Sequence, residues 1–290
     1  MAGKTNQSSL DRSWRNRRTI VGSIMTTVAG SCLVIALVPL VWVMGFVTVR
    51  AVGRLDLDLL TQLPPAPGLE GGGIANALIG TLMVLLVATV ISVPIGVLSA
   101  LYLSEFDQGG PWTRRVRFAT NILSGVPSII AGLFVFGLMV RSGLTGYSAF
   151  AGGAALALVM LPTIVRTAEE ALQLVPQDLR WAALGCGATR FRTVKEIVLP
   201  AAAPAIVTGV SLATARAAGE TAPLIFTALF SPYWPENFRE AVATLSVLVY
   251  NFASVPFTAQ QDLAWTAAFI LILVVLITKI LATIAVRKRQ

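Results

Sequence analysis

The chain has 290 residues, 56% of them hydrophobic and only 12% charged, against about 25% charged in an ordinary soluble domain. It contains no histidine, and its two cysteines, Cys32 and Cys186, fall in a predicted membrane helix and a predicted cytoplasmic loop, which excludes disulfide frameworks, zinc sites and histidine-dependent catalysis. The formal net charge of +8 points less to nucleic acid than to a membrane protein, where Lys and Arg accumulate to set topology.

Residues 1–21 form a basic tail containing Arg15, Arg17 and Arg18. The string GKT at Gly3–Thr5 lacks the earlier glycine and the strand of a phosphate-binding loop, and the sequon at Asn6 lies on a predicted cytoplasmic tail. Residues 20–49 carry no charge; that run is too long for the apolar part of a cleaved signal, so it reads as a first membrane span, with 22–73 forming that helix and its outer loop. Further blocks able to cross roughly 30 Å of hydrocarbon begin with the first at 22–48 and continue at 74–103, 118–140, 148–165, 200–229 and 263–286. The expectation is an all-α membrane protein with six transmembrane helices, a permease core over 74–286 and a short C-terminus at 287–290.

Lys and Arg set the orientation. The N-terminal tail, the 104–117 and 166–199 connections and the C-terminal end hold seventeen, and the alternate connections hold four, namely Arg50, Arg54, Arg141 and Arg239. Both termini are therefore expected in the cytoplasm.

In the third block Asn121, Ser124 and Ser128 recur at spacings of three and four, one side of a continuous helix, with Gly125 and Pro127 between them. Such a face either lines a path or makes interhelical hydrogen bonds. The 167–199 connection is amphipathic. Asp178 is placed to cap a helix with apolar positions at Leu179, Ala182, Ala183 and Cys186; Gly185 and Gly187 are placed to end it, and a second helix enters the membrane near Pro200. A helix of this kind either docks another protein or lies on the lipid surface.

The fifth block carries Arg216 and Glu220 inside an otherwise uncharged run from Ile197 to Pro235. Each ionised group there costs roughly 2.5–3.5 kcal/mol on insertion scales. The two are four residues apart and can pair on one helix face, so one reading is an internal salt bridge. The other is function, since intramembrane charges face a bundle interior or a water-filled path. Thirteen of the nineteen residues from Ala201 to Gly219 are Ala, Gly, Ser or Thr, which places the helix among close neighbours. Gly219 and Pro223 flank Glu220 and favour a bend or unwinding. A guanidinium matches oxyanions bidentately, and a nearby carboxylate accepts a hydrogen bond from an anion that still carries a proton, as phosphate does near neutrality. The substrate-pathway candidates are Arg216, Glu220, Thr221, Ser124 and Ser128. Beyond this block, Tyr233 and Trp234 in the outer 230–262 connection are candidate interfacial anchors.

Two sets of motifs resemble a known family. Trp181-Ala182-Ala183, Gly187 and Ile197-Val198-Leu199-Pro200 keep the spacing of the cytoplasmic E-A-A loop of bacterial ABC importer membrane subunits, with Trp181 in place of the leading Glu. The segment RAAGETAPLIFTAL resembles the signature of PstA-type permeases of phosphate importers, as do NILSGVPSIIAGLFVFG and LPTIVRTAEEALQLVP; the likeness covers residues 74–286. The resemblance implies the type I ABC importer permease fold, a coupling helix fitted to an ATPase through Ala182, Ala183, Gly187, Arg190, Leu199 and Pro200, and phosphate import without catalysis by this chain. It implies as partners a PstC-type permease, a PstB-type ATPase dimer that uses ATP and Mg, and a PstS-type phosphate-binding protein, in the bacterial inner membrane. Rival expectations are an ABC permease for molybdate, sulfate or phosphonate, an ATP-independent anion transporter, and a role in reporting phosphate status to a signalling kinase.

Overall fold

The computed structural model describes residues 17–107 and 109–287; the GKT string, the sequon at Asn6, the tail's Lys4, Arg12 and Arg15, and Lys288 and Arg289 lie outside the described residues. The chain divides into two compact units, Met1–Val49 and Arg50–Gln290. The first is built on α1 (Arg17–Val52), a helix that runs unbroken through Pro39. Its Leu33, Ile35 and Trp42 side chains are exposed, an apolar surface that suits hydrocarbon as solvent.

The second unit begins with α2 (Leu57–Thr61), whose N-terminus is capped by Asp56 accepting from the Leu59 amide. It continues with α3 (Ala75–Leu101) and a π turn at Tyr102–Phe106, α4 (Pro111–Gly125), α5 (Ser128–Val135) and a π turn at Phe136–Val140, and α6 (Ala149–Gln173). Next come α7 (Gln177–Gly185) and α8 (Arg190–Thr193), which runs through a π turn at Val194–Val198 into α9 (Leu199–Ala218). The last elements are α10 (Ala222–Thr227), α11 (Leu245–Ala253) and α12 (Thr258–Arg287). The described residues contain no strand. Among the described residues five helical segments are long and apolar enough to span a membrane: Thr19–Val52, Ala75–Phe106, Ala149–Gln173, Arg190–Ala218 and Thr258–Ile284. A sixth exists if α4 and the α5 segment, bent by 105°, count as one span.

That bend corrects the expectation of a continuous third helix. Pro127 cannot donate a backbone bond and disfavours helical geometry at the residue before it; Val126 is accordingly extended, at φ −73° and ψ 126°. Three other boundaries differ. The fourth helix runs on to Gln173, eight residues past the apolar block. The fifth begins at Arg190, ahead of Pro200. Its wide turn precedes the proline, where the carbonyl four residues back would otherwise meet the ring. The helix then stops at Ala218, and residues 219–221 form the break anticipated around Glu220.

The connection over residues 230–262 departs most from expectation. Residues 245–253 form a helix rather than surface loop, with Leu245 and Leu248 wholly buried. They pack with Leu59, Ile74, Leu263 and Ala267. The Leu245 amide donates to Thr81 Oγ1 at 2.9 Å, and Ser246 Oγ donates to the Glu220 carbonyl at 2.9 Å. Tyr233 and Trp234 remain exposed.

The bundle core forms where α3 packs along α6, α6 along α9, and α12 along α9 and α11. Val84, Leu156, Met160 and Ile164 meet Ala213, Ala217 and Leu224 there. Small residues set the closest approaches. A Cβ on Gly80 would sit 1.9 Å from the Ala243 carbonyl oxygen, and one on Gly132 would sit 2.5 Å from Pro223 Cα; in both cases the obstacle is backbone, which cannot swing aside. Gly80→Val is therefore expected to destabilise the protein by about 1–3 kcal/mol or more, the cost of overpacking. The loss is to be read as a lower melting temperature of the detergent-purified protein, with Gly45→Val on α1, where nothing lies within 4 Å, as the unaffected control.

Candidate functional site

The bend between α4 and α5 opens a cleft of about 680 Å³ bounded by the α4 end, Pro127, α5, α6 and α9. Ser124 lines it from the last turn of α4, Ser128 from the first turn of α5, and Arg216 from α9. The expected single face of Asn121, Ser124 and Ser128 does not exist, because the two serines lie on different helices across the bend. They still converge on the same cleft. Ser124 Oγ donates to the Asn121 carbonyl within its own helix at 2.7 Å.

Arg166 also lines the cleft, and among the described residues no carboxylate does. Placed by hydropathy in the 166–199 connection, it sits instead on the extended α6, where one Nη2–H donates to Asn121 Oδ1 at 2.7 Å. That uses one of the five donors of the guanidinium. Two turns of α6 hold Pro162 and Thr163 in the same wall. The missed signal was helical spacing: Pro162, Thr163 and Arg166 recur at i, i+1 and i+4 and share a face.

Arg216 Nε lies 3.8 Å from Glu220 Oε1, with the two side chains 68% and 18% exposed respectively. At that distance the pair is an ion contact without a hydrogen bond, and the guanidinium fork stays open to the cleft. Glu220 sits in the break after α9, its carbonyl held by Ser246, and reaches the cleft only through Arg216. Thr221 starts the turn into α10, its carbonyl accepting from the Leu224 and Ile225 amides at 3.1 and 3.2 Å; it lies outside the cleft lining. Gly132 against Pro223 lets α10 press on α5, which holds the break beside the cleft.

At one end of the bundle α7 forms a separate surface. Leu179, Trp181 and Leu184 are exposed, whereas Ala183 and Arg180 are buried. Asp178 lies in the first turn rather than capping the helix; the cap residue is Pro176, without a side-chain bond. The C-terminus closes as a Schellman motif: the Gly187 amide donates to the Leu184 carbonyl at 3.0 Å and the Ala188 amide to the Ala183 carbonyl at 3.1 Å, with Gly187 at φ +83°. Ala182 shares the exposed side. Arg190, itself exposed, donates to the Glu105 carbonyl and lies 5.7 Å over the Phe106 ring. Leu199 and Pro200 occupy the first turn of α9, the one half-buried and the other exposed.

A family model described as "Binding-protein-dependent transport system inner membrane component" matches residues 92–290. A chain of a bacterial alginate ABC transporter in complex with an alginate-bound periplasmic protein has a TM-score of 0.61 at 15% identity, covering 91% of this chain and 92% of that one. A chain of the inward-facing MetNI methionine ABC transporter has a TM-score of 0.58 at 21% identity, covering 75% and 94%. Fold and family model together define the class, the membrane-spanning component of a binding-protein-dependent transport system, with the type I ABC importer permease fold. Phosphate transport system permease proteins PstA from Yersinia pestis and Haemophilus influenzae are 36% and 41% identical, covering 96% and 94% of this chain and 93% and 95% of theirs. The PstA 1 protein of Mycobacterium tuberculosis is 39% identical over 94% of this chain and 91% of its own length. The chain belongs to the PstA-type permeases of that family. It is a multi-pass inner-membrane protein and a non-catalytic subunit of an ABC transporter complex.

Proposed function

We propose that this permease carries inorganic phosphate into the cytoplasm through the cleft that holds Arg166 and Arg216. The observation that carries the reading is two guanidiniums in one cleft whose lining, among the described residues, has no carboxylate, in a chain similar to phosphate transport permeases. Arg216 offers an open fork to an oxyanion. Ser128 adds a hydroxyl donor, Ser124 a hydroxyl oxygen whose proton is engaged by the Asn121 carbonyl, and Arg166 on α6 adds a second charge. Glu220, one ion contact behind Arg216, competes for the guanidinium and weakens its grip on the anion, which a transit site needs for release.

In this reading a PstC-type permease completes the pathway, a PstS-type protein delivers phosphate from outside, and a PstB-type ATPase dimer consumes ATP and Mg. Six spans with both termini in the cytoplasm put α7 and α8 on the ATPase side, in a coupling loop over residues 167–199 within the permease core 74–286. There the exposed Leu179, Trp181 and Leu184 offer an apolar plug, with Ala182, Ala183 and Gly187 shaping it and Arg190, Leu199 and Pro200 anchoring the second arm. Trp181 in place of glutamate makes that plug more apolar and less dependent on a charged contact.

Uptake of radiolabelled phosphate by the reconstituted complex tests the reading. Unlabelled phosphate is expected to compete while equal concentrations of sulfate, molybdate and a phosphonate leave uptake unchanged. Equal competition by one of those anions reassigns the substrate. Uptake that persists without the ATPase and ATP overturns the importer reading altogether.

A further inference from the structure

A buried ion pair away from the cleft has no part in the transport path. Arg180 on α7 and Glu105 in the π turn after α3 are only 9% and 4% exposed. Arg180 Nη2 donates to Glu105 Oε1 at 2.7 Å and Nε to Oε2 at 3.2 Å, a two-pronged fork. The same guanidinium donates to the carbonyls of Leu172, at 2.8 Å, and Val175, which close the C-terminal end of α6. Ser104 Oγ donates to Glu105 Oε1 at 3.1 Å, and Arg190 donates to the Glu105 carbonyl. One carboxylate and one guanidinium thus join the ends of α3 and α6 to α7, while the Glu105 backbone receives α8.

An ion pair is a poor choice if adhesion alone were needed, because apolar residues of similar volume hold buried surfaces at least as well. What the fork adds is direction, since two parallel bonds fix the angle between the elements they join. The elements joined lead straight to the cleft. Arg166 lies less than two turns before Leu172 on α6, and α8 runs through a π turn into α9, which carries Arg216. Both cleft arginines therefore stand on the helices that flank the α7–α8 segment. The π turns at Tyr102–Phe106 and Val194–Val198 mark points where a helix is already off its regular register, a feature found frequently at functional sites.

We propose that the Arg180–Glu105 pair is a latch that transmits displacement of α7 to α3 and α6 and so changes the width of the cleft; both are positioning residues that touch neither substrate nor ATP. The inference rests on the docking and transport readings above.

The test uses the whole complex, with the partner permease, the ATPase and the binding protein, in proteoliposomes. Glu105→Gln keeps the shape and removes the charge; Glu105→Leu with Arg180→Met replaces the pair by apolar contacts. Phosphate uptake and ATP hydrolysis are measured side by side, and nitroxide labels at Ile130→Cys and Val159→Cys, with Cys32 and Cys186 replaced by serine, report cleft width without nucleotide and after trapping with ATP and vanadate. The expected result for both variants is an assembled complex, ATP hydrolysis within about twofold of wild type, uptake lower by about tenfold or more, and loss of the trapping-dependent distance change, the size of effect that coupling between sites carries. Unchanged uptake and distance change overturn the latch. So do uptake and hydrolysis falling in parallel, and loss of the complex in both variants, since the pair would then hold the fold together. The label distances read the latch whatever anion is carried, so a wild-type complex that takes up no phosphate counts against the substrate reading while the distances still decide the latch.

Discussion

Arg216→Ala is expected to abolish phosphate uptake, by about a hundredfold or more, because a guanidinium fork on an oxyanion makes two charge-assisted hydrogen bonds of ~1.5–3 kcal/mol each. Assembly should survive. The Arg216 side chain is 68% exposed and its contact with Glu220 is 3.8 Å long, so the fold loses little when that pair is broken. The measurement is uptake by proteoliposomes that contain equal amounts of purified complex. Arg216→Lys keeps the charge without the planar fork and should fall between wild type and alanine. A rival explanation of the loss is the stranded carboxylate of Glu220. The Arg216→Ala, Glu220→Gln double variant separates the two: continued loss assigns the defect to the missing guanidinium, and recovery assigns it to the carboxylate. Undiminished transport by Arg216→Ala sinks the pathway assignment. Arg166 shares the cleft but keeps Asn121 as a partner, so its removal should cost less.

The route to Arg216 was legible in the sequence because the physics there is one-sided. A charge in an apolar run has to face a bundle interior or an aqueous path rather than lipid, and thirteen small residues in nineteen set α9 among close neighbours, where Arg216 lines the cleft. Gly219 and Pro223 announced the break after α9 for the same reason, since neither supports an uninterrupted helix interior. The bend at Pro127 used equally local chemistry. Yet a run that stays apolar from Ile129 to Val140 masks it, because hydropathy averages over a window and is blind to direction.

Arg166 and the α11 helix were hidden by a different kind of information. Hydropathy ends the fourth block at Val165, and counting basic residues assigns Arg166 to the cytoplasm. The helix continues because its charges find partners on α4: Asn121 accepts from Arg166, and Arg117 meets Glu169 at 2.5 Å. Those partners are forty-five and fifty-two positions away in sequence, beyond the reach of any local pattern. The α11 helix, nine residues long, is too short to cross a bilayer, and Gly80 leaves room for the Ala243 backbone just ahead of it. Glu105 and Arg180 follow the same rule, looking like ordinary connection charges until α3, α6 and α7 bring them together.

Gly187→Val is expected to lower recovery of the ATPase with the purified membrane subunits by about tenfold, since a residue other than glycine in the left-handed region costs ~1–2 kcal/mol and a β-branched one more. The cause is conformational rather than steric, because nothing lies within 4 Å of a Cβ at this position and Gly187 sits at φ +83°. Forced out of that region, the residue breaks the paired bonds to Leu184 and Ala183, and the chain leaves α7 in another direction. Trp181 and Leu184 then no longer present one surface, and α8 is pulled from the Glu105 carbonyl. Asn tolerates the left-handed region better than other residues with a Cβ, so Gly187→Asn should retain most of the ATPase and shows that backbone geometry, not the absence of a side chain, is what docking requires. Full co-purification of the ATPase with the valine variant would remove α7 from the interface, and the exposed Leu179, Trp181 and Leu184 would then need another occupant. An equal loss with valine and asparagine would instead place the Gly187 position in direct contact with the partner, where the extra atoms themselves obstruct binding.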